Sequence, residues 1–301
     1  MGPGYTTVSN SEIVRKSHFA GAQSSPLKTI TLTTDFGSRD GYVGVMKGVM
    51  IAINPDIHII DLSHGIEPFN IAQAARLLSA NYRYFPDGSI HVAVVDPGVG
   101  SNRHILALHA DNHLFIGPDN GIFTPFLKAC ELLRVHRITN HDLFLKPPST
   151  TFHGRDIMAP VAAKVTAGMA VAEVGEQVAP ADCITIAQTI ATVERGLIRG
   201  EVISVDRFGN LRTNIDQTLL ARYGYDALCV CIGDRRLPLV GGSYQDLAGV
   251  EAGALINSSG ELEICAPRES AAHRLSAAAG DEVVVQLPLS STAPSSSPER
   301  A

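Results

Sequence analysis

Three acids stand where an open α/β sheet would present its chemistry. Asp35 closes the β-branched run 29–35, Asp61 falls in the apolar run 57–62, and Asp96 follows the run 89–95. Ligands of open α/β sheets collect outside the carboxyl ends of the strands. A polar loop residue is not explained by packing, as a core residue is. Aspartate also caps turns and helices, so each acid has a structural reading. What favours a site is that three such loops should converge on one edge of a sheet.

The segment after Asp96 reads Pro97-Gly98-Val99-Gly100-Ser101-Asn102-Arg103. Its two glycines allow close backbone approach. The third glycine of a dinucleotide loop and the GK[ST] of a P-loop are missing. Arg103 can fold back on Asp96, keeping the acid ionised while leaving guanidinium donors for an anion; a plain surface ion pair is the alternative. His153 lies in Thr151-Phe152-His153-Gly154-Arg155-Asp156, just before a helix expected over 155–167. An imidazole there can take or orient a proton, unless it is a structural loop histidine. No HExxH or paired CxxC spacing occurs. By type alone, Asp61, His64, Asp96 and His153 would also suit a diffuse metal site. Further on, Asp206-Arg207-Phe208-Gly209-Asn210 and Asn257-Ser258-Ser259-Gly260 are polar turns. An Asn side chain both donates and accepts, which suits a purine edge, although both segments also fit ordinary turn chemistry.

The elements that must hold these residues alternate. Strands at 29–35, 57–62 and 89–95 are separated by helices at 42–53 and 70–84, and further short strands fall at 104–108 and 114–116. Such spacing predicts βαβ units and a mostly parallel, Rossmann-like sheet. From Glu194 on, short strands and turns predict a smaller β-barrel-like domain. The expected layout is a flexible arm over 1–27, an α/β catalytic domain over 28–180, a barrel-like domain over 192–288 and a disordered Ser/Pro-rich tail over 289–301. The 301 residues are 45% hydrophobic and 18% charged, a globular mixture. A net charge of −6 without a basic block argues against nucleic acid. No apolar run reaches the ~18 residues of a membrane span, and Met1-Gly2 with Thr6 is a weak lipidation match. The five cysteines form no zinc or disulfide pattern and suit a cytoplasmic protein.

Read in order, TTDFGSRDGYVGVMKGVM, VVDPGVGSNR, GPDNG, TFHGRD, DRFGNLRTNI and NSSGELEI resemble the S-adenosyl-L-methionine hydroxide adenosyltransferase family, relatives of the fluorinase and chlorinase. The resemblance runs from about Lys28 to Leu287. It implies an α/β domain followed by a barrel-like one, a homotrimer with ligand at the subunit interfaces, and cleavage of S-adenosylmethionine at the ribose C5′ to adenosine and L-methionine. Metal and cofactor are absent from the implied reaction; S-adenosylmethionine is the substrate. The family's water-activating set maps to Asp96, Arg103 and His153, with the base being either Asp96 or His153. Asp35 matches the ribose-diol acid, and Asp40 and Asp206 lie near the methionine ammonium. Ser258 and Ser259 match the turn at the amino-acid end, Asn210 the adenine contact, and Phe69 an aromatic packed on the ligand. Thr151 and Phe152 would line the C5′ region, and Tyr244 the adenine side.

Halogenating relatives lack the Asp/Arg/His set and carry an insertion ahead of the Pro118-Asp119-Asn120-Gly121 segment. Here the set is intact and 106–117 is short, which favours water over halide. Pro267 and Glu269 replace Asn and Gly common in relatives, which puts the adenine contacts of that loop in question. Asn70 replaces an acid and reads as a helix cap. The rivals are a halogenase of the same family, a non-catalytic sensor of adenosine or S-adenosylmethionine, and a metal-dependent hydrolase.

Overall fold

The computed structural model describes residues 28–130, 132–225, 228–239 and 243–287. The arm expected over 1–27 and the tail expected over 289–301 lie outside the described residues. The chain divides into two compact units, one ending at Ile186 and the other beginning at Ala187.

The first unit carries β1 (Thr29–Thr34), β2 (His58–Ser63), β3 (Ile90–Val94), β4 (Ile105–Ala110), β5 (His113–Pro118), β6 (Arg134–Arg137) and β7 (Gln177–Val178). They form one seven-stranded sheet in the order β2-β1-β3-β5-β4-β6-β7. Its helices are α1 (Tyr42–Ile53), α2 (Ile71–Asn81), α3 (Thr124–Ala129) and α4 (Ala159–Thr166). Strand β1 is buried along its whole length, which suits β-branched side chains covered on both faces. Strand β3 divides its residues between two layers. Ile90, Val92 and Val94 join Met46 and Met50 of α1 and Ala162 of α4 in one core. Ala93, just beyond it Val95, and the α2 and α3 residues Leu78 and Phe126 share the other. Helix α1 buries Val43, Met46 and Met50, a single face at helical spacing.

The sheet is mixed, not mostly parallel. The pairs β1–β2, β1–β3 and β3–β5 are parallel; β4–β5, β4–β6 and β6–β7 are antiparallel. The reason lies in Asp111 and Asn112, at φ 49° and 63°. These left-handed residues make a tight hairpin between β4 and β5, and a two-residue loop cannot span the crossover that parallel neighbours need. The expected helix over 155–167 also differs: Gly154–Met158 is a π-helical turn that leads into α4.

The chain leaves β1 through α1 for β2 on one side, then returns through α2 to β3 on the other. The crossovers therefore part between β1 and β3, where Thr34 lies beside Val94. Asp35 and Asp96 follow these two strand ends, at the crevice such sheets use for ligands.

The second unit carries β8 (Thr192–Glu194), β9 (Leu197–Val205), β10 (Leu211–Asp216), β11 (Cys229–Ile232), β12 (Arg235–Pro238), β13 (Gly253–Ile256), β14 (Glu261–Cys265) and β15 (Glu282–Gln286). The strand order is β12-β11-β15-β9-β10-β14-β13, with β8 added on β9. A bridge between Leu239 and Ala254 draws the two ends together, so the antiparallel sheet is a nearly closed barrel. Ile198, Val202, Leu211, Val230, Ile264 and Val283 fill its core.

Behind β1 lies a buried imidazole pair. His91 accepts from or donates to Thr31 Oγ1 at 2.8 Å through Nδ1, and its Nε2 meets His113 Nδ1 at 3.1 Å. Burial first, and His113 second, push the His91 pKa down to about 3; burial lowers that of His113 too. In the unfolded chain both titrate near 6.5, so below that pH the unfolded state binds more protons. Stability should be flat from pH 8 to 7 and fall below about 6.5, with a slope reaching about 1.4 kcal/mol per pH unit for each buried histidine. Urea unfolding at stepped pH checks this, and the slope should shrink in His91→Phe.

Candidate functional site

The loop that follows β3 folds back on itself as its composition anticipates. Arg103 Nε donates to both carboxylate oxygens of Asp96 at 2.9 Å, and Arg103 Nη2 donates to Oδ2 as well. The two side chains are only 8% and 5% exposed, so this is a buried pair. Arg103 Nη2 also reaches His153 Nδ1 at 2.9 Å. A guanidinium can only donate, so Nδ1 accepts and a neutral ring must carry its proton on Nε2. Burial lowers the His153 pKa, and the Arg103 charge lowers it further. The three candidate catalytic residues thus form one chain: acid, guanidinium, neutral imidazole.

Close backbone packing seats this chain. Ser101 Oγ donates to the Gly98 carbonyl at 2.7 Å and accepts from the Arg103 N–H at 3.3 Å. Gly100 has φ +80°, and a Cβ there would stand 2.4 Å from the Thr150 carbonyl oxygen. The 149–152 segment is fixed from below by Asp156, buried in the π-helical turn. Ser149 N–H donates to Asp156 Oδ2 at 2.7 Å, and Arg155 Nε to Oδ1 at 2.6 Å. Burial works to raise the Asp156 pKa, but the bonds from Arg155 and Ser149 outweigh it and hold the acid below its usual range. Asn120 Nδ2, from the Pro118–Gly121 turn, ties the Val95 carbonyl at 2.8 Å.

The other first-unit candidates are Asp35, Asp40, Phe69, Thr151 and Phe152. Asp35 Oδ2 accepts from the Phe69 N–H at 2.9 Å. Phe69 is held at φ 66° with 69% of its surface exposed, a conformation a bulky residue rarely adopts. Phe152 packs against Phe36 and Tyr42, with ring centroids 5.8 and 5.3 Å away. Thr151 Oγ1 meets Ser149 Oγ at 3.1 Å, and Asp40 is exposed. Asp61 is not brought to the set. It pairs with Lys47 at 2.6 Å and His64 at 2.9 Å, which overcome burial and lower its pKa. Among the described residues no group of three or more His, Cys, Asp or Glu is placed to hold a metal ion. No described helix is long and apolar enough to cross a membrane.

The second unit holds the remaining candidates. Asp206 accepts from Phe208 N–H at 2.8 Å, Asn210 N–H at 2.9 Å and Asn210 Nδ2 at 3.2 Å. Ser258 and Ser259 are exposed on a turn whose Asn257 Oδ1 accepts from the Ser259 N–H at 2.9 Å. Tyr244 is 57% exposed, yet its hydroxyl donates to Glu263 Oε1 at 2.8 Å. Glu263 escapes the sequence reading, although it lies inside the quoted NSSGELEI run. Its buried carboxylate also accepts from Asn257 Nδ2 at 3.1 Å and Cys265 Sγ at 3.2 Å. One acid therefore holds both Tyr244 and the Ser258-Ser259 turn. Burial and then Glu263 push the Tyr244 phenol up, as they do the Cys265 thiol. Asp156 likewise escapes the sequence reading, although it closes the quoted TFHGRD run. At the departures, Glu269 is occupied by Arg274 at 2.7 Å, and Asn70 caps α2 through Gln73 N–H at 2.9 Å.

Comparison with known proteins bears on the chain as a whole. Residues 30–175 match the family model described as the SAM hydroxide adenosyltransferase N-terminal domain, and residues 200–284 the C-terminal one. An (R)-S-adenosyl-L-methionine hydrolase from Salinispora tropica is 33% identical over 87% of this chain and 98% of its own. Another, from Methanocaldococcus jannaschii, is 36% identical over 86% and 96%. A fluorinase from Nocardia brasiliensis is 25% identical over 86% and 96%. A crystal structure of a conserved protein from Thermotoga maritima superposes with a TM-score of 0.80 at 35% identity, covering 85% of this chain and 99% of that one.

The seating of the loop is testable by adding one methyl group. Gly100→Ala combines left-handed strain with a backbone clash and should cost about 2 kcal/mol, roughly 4–8 °C in Tm. A Cβ at Gly98 would meet Ser101 Oγ at 3.5 Å, ordinary contact. Gly98→Ala should therefore stay within about 0.5 kcal/mol of the parent. Thermal denaturation of the two variants side by side decides between them.

Proposed function

The chain belongs to the S-adenosyl-L-methionine hydroxide adenosyltransferase family, and we propose that it hydrolyses S-adenosyl-L-methionine to adenosine and L-methionine through the Asp96–Arg103–His153 chain. The observation that carries the reading is the Arg103 clamp, which joins the acid and the imidazole in one buried set. Water oxygen bonds to C5′ while the C5′–S bond breaks and its electron pair stays on sulfur. The leaving group is a neutral thioether, so no acid need protonate it. What the reaction needs is an oriented water that has begun to lose its proton. With the His153 proton on Nε2 and its Nδ1 occupied by Arg103, the imidazole donates to the water rather than accepting from it. Asp96 is then the acceptor of the proton, and Arg103 stabilises the hydroxide character that develops. Asp96 and Arg103 are largely shielded from solvent, which strengthens these interactions.

The binding roles follow the family's pattern. Asp35 takes the ribose hydroxyls, with Phe69, whose backbone it pins, packed on the ligand. Thr151 and Phe152 line the C5′ region. Asp40 and Asp206 draw the ammonium, Ser258 and Ser259 hold the amino-acid end, and Asn210 with Tyr244 contacts adenine. No cofactor is required. The relatives' names specify the (R) sulfonium epimer, and we extend that preference to this chain. The halide-using alternative is disfavoured by the intact set and by the tight Asp111-Asn112 hairpin, which leaves no insertion between β4 and β5. A homotrimer with ligand at subunit interfaces finds support in α1. Its Tyr42, Val45 and Ile51 are exposed, and open space lies over Gly44 and Gly48. Five free thiols favour a reducing, cytoplasmic setting.

Purified protein given S-adenosylmethionine should release adenosine and methionine, consuming the (R) epimer first. A 5′-halo-5′-deoxyadenosine formed in chloride or fluoride would overturn the reading. Asp96→Asn should lower kcat by about 10²–10⁴-fold while ligand affinity, measured by calorimetry, changes little; equal losses of both would contradict the assigned role. Because the neutral His153 is the working form and its pKa is lowered, the acid limb of kcat/KM should have its midpoint below the ordinary imidazole value of about 6.5. A solution mass other than three chains would contradict the trimer.

A further inference from the structure

A cavity of about 360 Å³ opens at the opposite end of the first unit's sheet from Asp96. It is lined by His109, Arg134, His136 and Gln177, with Val171 and Ala172 forming its apolar wall. The register explains why these side chains meet. His109 of β4 lies directly opposite Arg134 of β6, and His136 opposite Gln177 of β7. Residues opposed across strands share a face, and so do residues two apart on one strand. On β4, Ile105 pairs with Pro118 at the catalytic end of β5, whereas His109 is four residues further on, about 13 Å away.

The two described acids on the segments beside this cavity both have partners. Glu176 is taken by Arg137 at 3.1 Å, and Glu173 Oε1 accepts from the Ala170 N–H at 2.9 Å. Among the described residues no acid pairs with Arg134. His136 is 8% exposed, and its buried Nδ1 has no hydrogen-bond partner. A metal cation would meet the Arg134 charge and only two imidazoles. An anion would meet a guanidinium fork and imidazole N–H donors.

The geometry points to a binding site for a small oxyanion, a carboxylate or phosphate group, held by Arg134 and His136 with His109 and Gln177 at its margin. The site is separate from the hydrolytic chain and does not rest on it. Burial, and then Arg134, lower the pKa of both His109 and His136; beyond His109 lies His113, which also feels Asp87, Asp111 and Arg83. A bound anion would oppose the Arg134 effect, so binding takes up protons. Affinity should rise as pH falls, by about tenfold for each imidazole whose pKa the anion raises by one unit.

The test is calorimetric titration of the intact protein with sodium butyrate, inorganic phosphate and the neutral amide butyramide, at pH 6 and pH 8 and constant ionic strength. Saturable binding of at least one anion is expected, tighter at pH 6, with butyramide silent. Butyrate alone would mark an organic carboxylate site, and phosphate alone a phosphate site. Arg134→Met is an exposed change that leaves the core intact, and it should weaken binding at least about tenfold. His136→Phe is the second variant, with circular dichroism to verify its fold. No saturable binding of either anion at pH 6 would overturn the proposal. So would unchanged affinity in Arg134→Met.

Discussion

One guanidinium organises the first unit's site. Arg103 donates to two partners: along its fork to Asp96, and from the same end to His153. Without it, a buried carboxylate would lack a cation, a loss that typically costs several kcal/mol. The imidazole would also lose the contact that fixes its tautomer. Every neighbouring feature serves the position of this one side chain. Gly100 lets the Asp96–Arg103 loop lie against the Thr150 carbonyl. Asp156 pins the segment that presents His153. Asn120 ties the end of β3. The π-helical turn at Gly154–Met158 has His153 at its N-cap.

The second unit follows the same logic with an acid in the central role. Among the described residues Glu263 has no cationic partner; a phenol, an amide and a thiol supply its hydrogen bonds. Through them it sets both the ring of Tyr244 and the Ser258-Ser259 turn. The two units therefore each hold their candidate site side chains through a buried carboxylate, Asp96 or Glu263, whose donors are chosen by the fold. Such acids also contribute negative charge, which suits a cationic sulfonium substrate.

Much of this was legible from sequence, for identifiable reasons. Strand β1 and helix α1 carry strong local signals: a β-branched run, then Val43, Met46 and Met50 at helical spacing. Asp96 and Arg103 are near neighbours with glycines between them, so their pairing is a local event. His153 is fifty residues away, and only the resemblance to known proteins joined it to the pair. The antiparallel half of the sheet was misjudged because βαβ spacing dominates the first hundred residues. The hairpin that reverses it depends on two residues, Asp111 and Asn112, at left-handed φ. Strands β6 and β7 are short, and too little periodicity survives in them to read. Glu263 and Asp156 were invisible as supports because burial of an acid is a tertiary property.

The most direct measurement is a neutron crystal structure of the protein near neutral pD, read at His153. The account places a single deuterium on Nε2, none on Nδ1, and the Arg103 guanidinium donating to that bare nitrogen. A ring protonated on Nδ1, or on both nitrogens, would show that Arg103 does not set the imidazole, and the assignment of Asp96 as proton acceptor would fail with it.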